Sequence, residues 1–476
     1  MKLFTFGRGV RPTTVLFAVL GVLAFPLVAT ADHGTRPHTD NIHALGHSPQ
    51  PAQFLPVPSA QREVNSDIAF WENYVIHGNY DGFRILRESP GNPKEISHVR
   101  CNGDQGDIVV WENIVVRAWN SPAPAGRFCD GVPVPVGFEG MHIFDWSDPE
   151  NPELVGDVEL SARPGADSPG CGTHTLTAVP DVANGRLVIY NATSGGNPLL
   201  PPQDQECDWI DIVQVPLDAP AAASHIRREP LMGGHAAHDN GVILGGVNML
   251  ATASGHMSNV FSIGPPRGGT YDDPLHLYTI EEPGVCNVGD PVLCNGNWHS
   301  AAFSYDGEKI ILGWEPGGGS QPECEATDPP VKKSAFFYDA NTGAKLGQWT
   351  LPRPQSSTEN CTIHNYNTVP LKDGRDILVL GNYQAGTWVV DFTNAASPET
   401  IAWSDPPPLV PPDLGGAWST YWYNGFLWES EITKGMNVFR VSGGVTEPAI
   451  MLDHLNPQTQ EFSLDERGRP IAWRTR

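Results

Sequence analysis

The chain has 476 residues, with 54 Asp and Glu against 29 Lys and Arg for a formal charge of −25, and it carries 50 Gly, 45 Pro and 8 Cys. Hydrophobic residues still make up 40%, which excludes a disordered chain, and the glycines follow no collagen period, so a large, turn-rich fold is expected. An anionic surface repels phosphate backbones, and no basic block exceeds Arg227-Arg228 or Lys332-Lys333, which argues against a nucleic-acid partner.

In chain order, residues 1–31 read as an export signal: Lys2, Arg8 and Arg11 precede an apolar run from Val15 to Val28, and Ala29-Thr30-Ala31 is a small-x-small cleavage site. The expected product is secreted, soluble and free of the membrane once the signal is removed. A leader follows over residues 32–60, rich in Pro and His, with one strand expected over Asn41–Leu45 to close a ring beside the last repeat. His33, His38, His43 and His47 in it are expected to form a tail and not a ligand set.

From residue 61 to 455 one amphipathic strand of aromatic and β-branched residues recurs at Gly82–Arg87, Gly140–Asp145, Trp209–Gln214, Met257–Ser262, Ser334–Asp339, Gly386–Asp391 and Gly435–Arg440. The spacing of 48 to 77 residues suits four short strands and variable loops per unit. Ahead of each strand lies a hairpin marked by Glu72-Asn73, Glu112-Asn113, Asn184-Gly185, Gly245-Gly246, Asp306-Gly307, Asp373-Gly374 or Asn424-Gly425. A fourth strand follows, as at Pro152–Gly156 and Lys345–Trp349. Antiparallel four-stranded units with two apolar faces must stack, and radial closure removes their open edges. The expected fold is an all-β, seven-bladed β-propeller. The tail over 456–476 carries a weak strand, Ile471–Trp473, and is left without a role.

The segment Gly140–Gly156, together with Ser66-Asp67-Ile68, Gly106-Asp107-Ile108 and His238-Asp239, resembles the repeat of LVIVD-repeat secreted or surface propellers. That resemblance implies a fold and not a chemistry. More distantly similar propellers, of the selenium-binding and methanethiol-oxidase type, use channel histidines for metal, but no residue of this chain matches theirs one for one.

The even cysteine count in an exported chain points to disulfides. Cys101, Cys171 and Cys361 precede first strands, Cys286 and Cys294 share the loop before another, and Cys129, Cys207 and Cys324 follow second strands. All such loops open on one face of a propeller, so the expected pairs are Cys101 with Cys129, Cys171 with Cys207, Cys286 with Cys294 and Cys324 with Cys361.

Aligning the first strands puts His174, His238, His299 and His364 at one position in four consecutive units, where the others have Ser66, Gly106 and Trp418. Strands that converge on an axis would gather these imidazoles at the channel mouth, as ligands for copper, iron or zinc. The competing reading is that residues at strand starts, and Asp67, Asp107 and Asp239 one position on, hydrogen-bond a neighbouring blade. His235 is a further imidazole nearby, and Glu315, Glu429 and Glu431 end second strands near the same face, where surface positions are the default. Trp119, Trp314, Trp388 and Trp428 are expected to pack between blades, with one or two left at the rim to stack a ligand. Hydrolase elbows, phosphate loops and dinucleotide fingerprints are absent from the sequence. Three functions therefore stand: a secreted scaffold presenting a disulfide-tethered loop face to an extracellular ligand or protein, a metal-dependent propeller enzyme of oxidase or hydrolase type, and a purely structural role in the cell envelope, for or against which no motif speaks. The sequence does not decide whether a cofactor is bound.

Overall fold

A computed structural model describes residues 36–50, 64–103, 105–193, 195, 200, 204–233, 235–282 and 296–471. The export signal and the Cys286–Cys294 pair lie outside them.

Seven four-stranded antiparallel sheets form the blades of a propeller. Blade 1 comprises Asn65–Trp71, Tyr74–Asn79, Gly82–Arg87 and Lys94–Arg100, and blade 2 Ile108–Trp111, Ile114–Trp119, Gly140–Asp145 and Glu153–Glu159. Blade 3 spans Thr175–Pro230, blade 4 Ala237–Glu281, blade 5 Gly296–Thr350 and blade 6 Tyr366–Ser404. Each recurrent strand of the sequence is the third of its blade. The turns ahead of them need left-handed backbone: Glu72, Glu112 and Asn424 stand at φ 51°, 50° and 49°, which is why Asn, Gly and acidic residues mark them.

Blade 7 has three strands from the C-terminal part, Ala417–Tyr423, Phe426–Glu431 and Gly435–Val441, and its outer strand is Ile42–Pro49 from the leader. The ring is thus closed by hydrogen bonds between chain ends. Arg36 locks the closure: its guanidinium meets the Glu429 carboxylate at 3.1 and 3.3 Å, both side chains buried. Thr387 and Asn437 donate to the same carboxylate at 2.6 and 2.7 Å. Burial pushes Glu429 up, but the Arg36 charge and these hydrogen bonds outweigh it and hold the group below its ordinary value. His38, His43 and His47 belong to this closure and not to a loose tail, while His33 lies outside the described residues. His38 bridges to Ser404, while His43 and His47 bond Ser442 and Asn437.

The first strands ring the axis, blade 7 touching blade 1. Aromatic and branched side chains fill the space between blades, where Trp119, Trp314, Trp388 and Trp428 are all buried. None of the four is left at the rim to stack a ligand.

The tail is a strap across the far end of the channel. His454–Leu455 pairs with blade 1, and Thr459–Gln460 runs parallel to Val242-Ile243 of blade 4. The Asn456 amide brackets Val110 of blade 2, accepting from its N–H at 2.8 Å and donating to its carbonyl at 2.9 Å. Gln460 brackets Phe303 of blade 5 in the same manner, at 3.0 and 2.9 Å. Thr459 donates to Ala178 of blade 3, and Gln460 also donates to Thr368 of blade 6. Side-chain amides here replace a strand's backbone groups and satisfy polar atoms at the ends of the first strands.

Candidate metal centre at the channel mouth

The opposite end of the axis carries the histidines. In blades 4 and 5 the register slips between Ala237 and Asp239 and between Trp298 and Ser300, so His238 and His299 each sit on a β-bulge. Blade 7 slips likewise around Trp418. A bulge turns a side chain out of the sheet's alternation, here towards the axis. In blades 3 and 6, His174 and His364 stand just before the strand begins. Their backbones are pinned three residues upstream, because Cys171 bonds Cys207 and Cys361 bonds Cys324. The Cys101–Cys129 pair is also formed, so three disulfides tether loops on this face.

The four imidazoles lie side by side, with ring centroids 4.2 Å apart for His174 and His238, 4.0 Å for His238 and His299, and 4.1 Å for His299 and His364. All are buried, and together with Asp107, Asn365 and Trp418 they line a cavity of about 10 Å³. That is room for one water-sized sphere.

His238 Nδ1 donates to the carbonyl of His299 at 3.2 Å, and His364 Nδ1 donates to that of Trp418. A carbonyl only accepts, so these protons sit on Nδ1 and leave the Nε2 lone pairs free. The Nε2 atoms face Glu315, at 3.9 Å for His238, 3.7 Å for His299 and 3.8 Å for His364. Those gaps are too long for hydrogen bonds. They are a few tenths of an ångström wider than the edges of a coordination polyhedron with bonds of about 2.0–2.2 Å. His238, His299 and Glu315 offer ligand atoms that all lie within 4.8 Å of one another. His364 Nε2 lies 3.8 Å from the carboxylate's other oxygen, and His174 closes the cavity wall.

Burial keeps every imidazole of the row neutral: His174 and His364 are pushed down to about 3, and His238 and His299 well below their ordinary value, with other imidazoles of the row adding to the effect in all four. Glu315 is pushed up to about 7 by burial, against the pull of a hydrogen bond from the Tyr383 hydroxyl at 3.0 Å.

Below the row stand Asp67, Asp107 and Asp239. Asp107 accepts from Leu176 N–H of blade 3 at 2.6 Å, whereas Asp67 accepts from the Tyr421 hydroxyl and from Gln458 of the strap, each at 2.8 Å. Asp239 accepts from its own neighbour, the Asn240 N–H. Of the three aspartates only Asp107 thus makes the expected bond to another blade's backbone, whereas at the strand starts Ser66, His238 and His364 do so, each to a carbonyl of the next blade. Burial first, then repulsion from Asp67 and Asp239, pushes Asp107 well above the carboxylate range.

Glu315, Glu429 and Glu431 are all buried and not surface acids. Glu429 serves the Arg36 lock, and Glu431 accepts from the Gly416 and Thr433 N–H groups, so neither joins the centre. His235 packs against His256 at 5.0 Å, outside the row. Cys101, Cys129 and His142 also cluster, but both sulfurs are spent in a disulfide.

The chain matches no protein-family model and no curated protein. Among solved structures it is similar to Raptor of Chaetomium thermophilum, with a TM-score of 0.45 and 11% identity over 80% of this chain, which spans 28% of Raptor's length.

Proposed function

We propose that the protein is an exported metal-binding propeller that holds one copper, iron or zinc ion at the channel mouth through His238, His299 and Glu315, with His364 and His174 beside it. The observation that carries this reading is the set of buried imidazoles whose Nε2 atoms face a buried carboxylate without hydrogen-bonding it. Backbone bonding accounts for Nδ1 of His238 and His364 but gives the Nε2 atoms no role. An ion between those Nε2 atoms and the Glu315 carboxylate would give them one shared partner. Fewer protein ligands than coordination positions would leave an open site for Lewis-acid or redox chemistry on a small ligand.

Export forms part of the proposal, supported by three disulfides that a reducing compartment would not sustain. Membership among LVIVD-repeat propellers is proposed on the blade 2 segment and the seven blades. The second reading, a scaffold that binds an extracellular ligand or protein, draws support from the loops those disulfides tether on one face.

Elemental analysis of untagged protein separates the two. Near-stoichiometric copper, iron or zinc that disappears in His238→Ala/His299→Ala, with the circular-dichroism spectrum unchanged, is the expected result. Metal-free protein that cannot be loaded with any of the three ions would leave only the scaffold.

A further inference from the structure

The Glu315 carboxylate is held by a device that the fold has gone out of its way to build. Tyr383 lies in the turn between the second and third strands of blade 6, at φ 48°, a left-handed conformation that a bulky side chain rarely adopts. It is fixed there by reciprocal backbone bonds with Ala417, at 2.9 and 2.8 Å, and by the Gly386 N–H donating to its carbonyl at 2.9 Å. Gly416 packs against that carbonyl so closely that a Cβ would collide with it. On the other side, Gly319, at φ 68°, lies against both the Tyr383 phenol and Glu315 Oε1, where a Cβ would strike all of these atoms. Two glycines and one strained tyrosine thus converge on a single hydrogen bond. Packing alone does not ask for it, since a buried carboxylate–phenol pair is costlier than two apolar side chains of the same shape.

Resting on the metal reading above, we infer that Tyr383 is the positioning residue of the centre: its hydroxyl donates to Glu315 Oε1 and thereby presents Oε2 to the ion as a single-oxygen ligand. The distances follow this division. Oε1 is 3.0 Å from the Tyr383 hydroxyl, whereas Oε2 is the oxygen nearer His238 and His299, at 3.9 and 3.7 Å. The phenol ring also packs on His364 with centroids 4.2 Å apart, a contact that helps keep the hydroxyl beside the carboxylate. Partners of this kind fix ligand geometry and typically change metal affinity 10–100-fold when removed.

The test is a Zn²⁺ titration against a chromogenic chelator with the full-length protein, Tyr383→Phe, Glu315→Gln and the double variant, alongside thermal melts of the metal-free proteins. Tyr383→Phe should weaken Zn²⁺ binding by about 10–100-fold with its melt close to wild type. The double variant should bind no more weakly than Glu315→Gln alone, because the phenol acts only through that carboxylate. Wild-type affinity in Tyr383→Phe, or losses that multiply in the double variant, would overturn the inference while leaving the metal reading intact. A wild-type protein that binds none of Zn²⁺, Cu²⁺ or Fe²⁺ overturns both. Should Tyr383→Phe not fold, Gly319→Ala, which crowds the pair but keeps the phenol, carries the same expectation; unchanged Zn²⁺ affinity there overturns the inference.

Discussion

A chain ending at Asp453 will be destabilised by several kcal/mol, and the amides of Val110, Val242, Leu244 and Phe303 will lose most of their protection from hydrogen exchange. Those N–H groups donate to Asn456, Gln458 and Gln460 of the strap, and the truncation leaves all of them to water. The same cut removes the buried Leu455, Phe462 and Leu464, each worth about 1.5–3 kcal/mol of burial, partly offset by the ordering entropy of the strap. Asn456→Ala tests the smallest part of the device. It removes both bonds to Val110 and should cost about 1–3 kcal/mol, measured by urea unfolding. Unchanged stability and exchange in the truncated protein would mean that the strap merely rests on the ring.

Arg36→Ala will cost about 3–5 kcal/mol, because it leaves the Glu429 carboxylate buried without its cation. Adding Glu429→Gln should recover part of that loss, since glutamine removes the charge and still accepts from Thr387. The pH dependence separates this account from simple loss of packing. Glu429 is held below its ordinary value of 4.5, so the folded state binds fewer protons there than the unfolded one. Its contribution is full at neutral pH and is lost as the pH falls through the folded-state value. Urea midpoints of wild type and Arg36→Ala should therefore converge on acidification; a gap that stays constant from pH 7 downward would contradict the lock.

The blades were legible because their third strands repeat an alternation of aromatic and branched residues between fixed turn signals, and the closing strand, Ile42–Pro49, showed only as the short stretch Asn41–Leu45 in a Pro- and His-rich leader. Three cysteine pairs were legible once each cysteine was placed relative to a strand start or end. The histidine row and its gathering at the channel mouth were legible from one repeated position on strands that converge on an axis, but the bulges that aim His238 and His299 were not: they arise from pairing geometry, which leaves no periodic trace. Glu315 looked like a surface acid because the end of a second strand is usually exposed, whereas here it is tucked beside the axis under Tyr383. The strap escaped because Asn456, Gln458, Thr459 and Gln460 read as a polar loop. Their amides and hydroxyl do a strand's work one side chain at a time, a role visible only once the blade ends surround them.

The most direct measurement is the X-ray absorption fine structure of protein loaded with one equivalent of Zn²⁺. The account predicts a first shell of nitrogen and oxygen at about 2.0–2.2 Å with outer-shell scattering from at least two imidazoles, lost in His238→Ala/His299→Ala. A sulfur shell at about 2.3 Å, or a spectrum without imidazole scattering, would place the ion elsewhere and contradict the proposed centre.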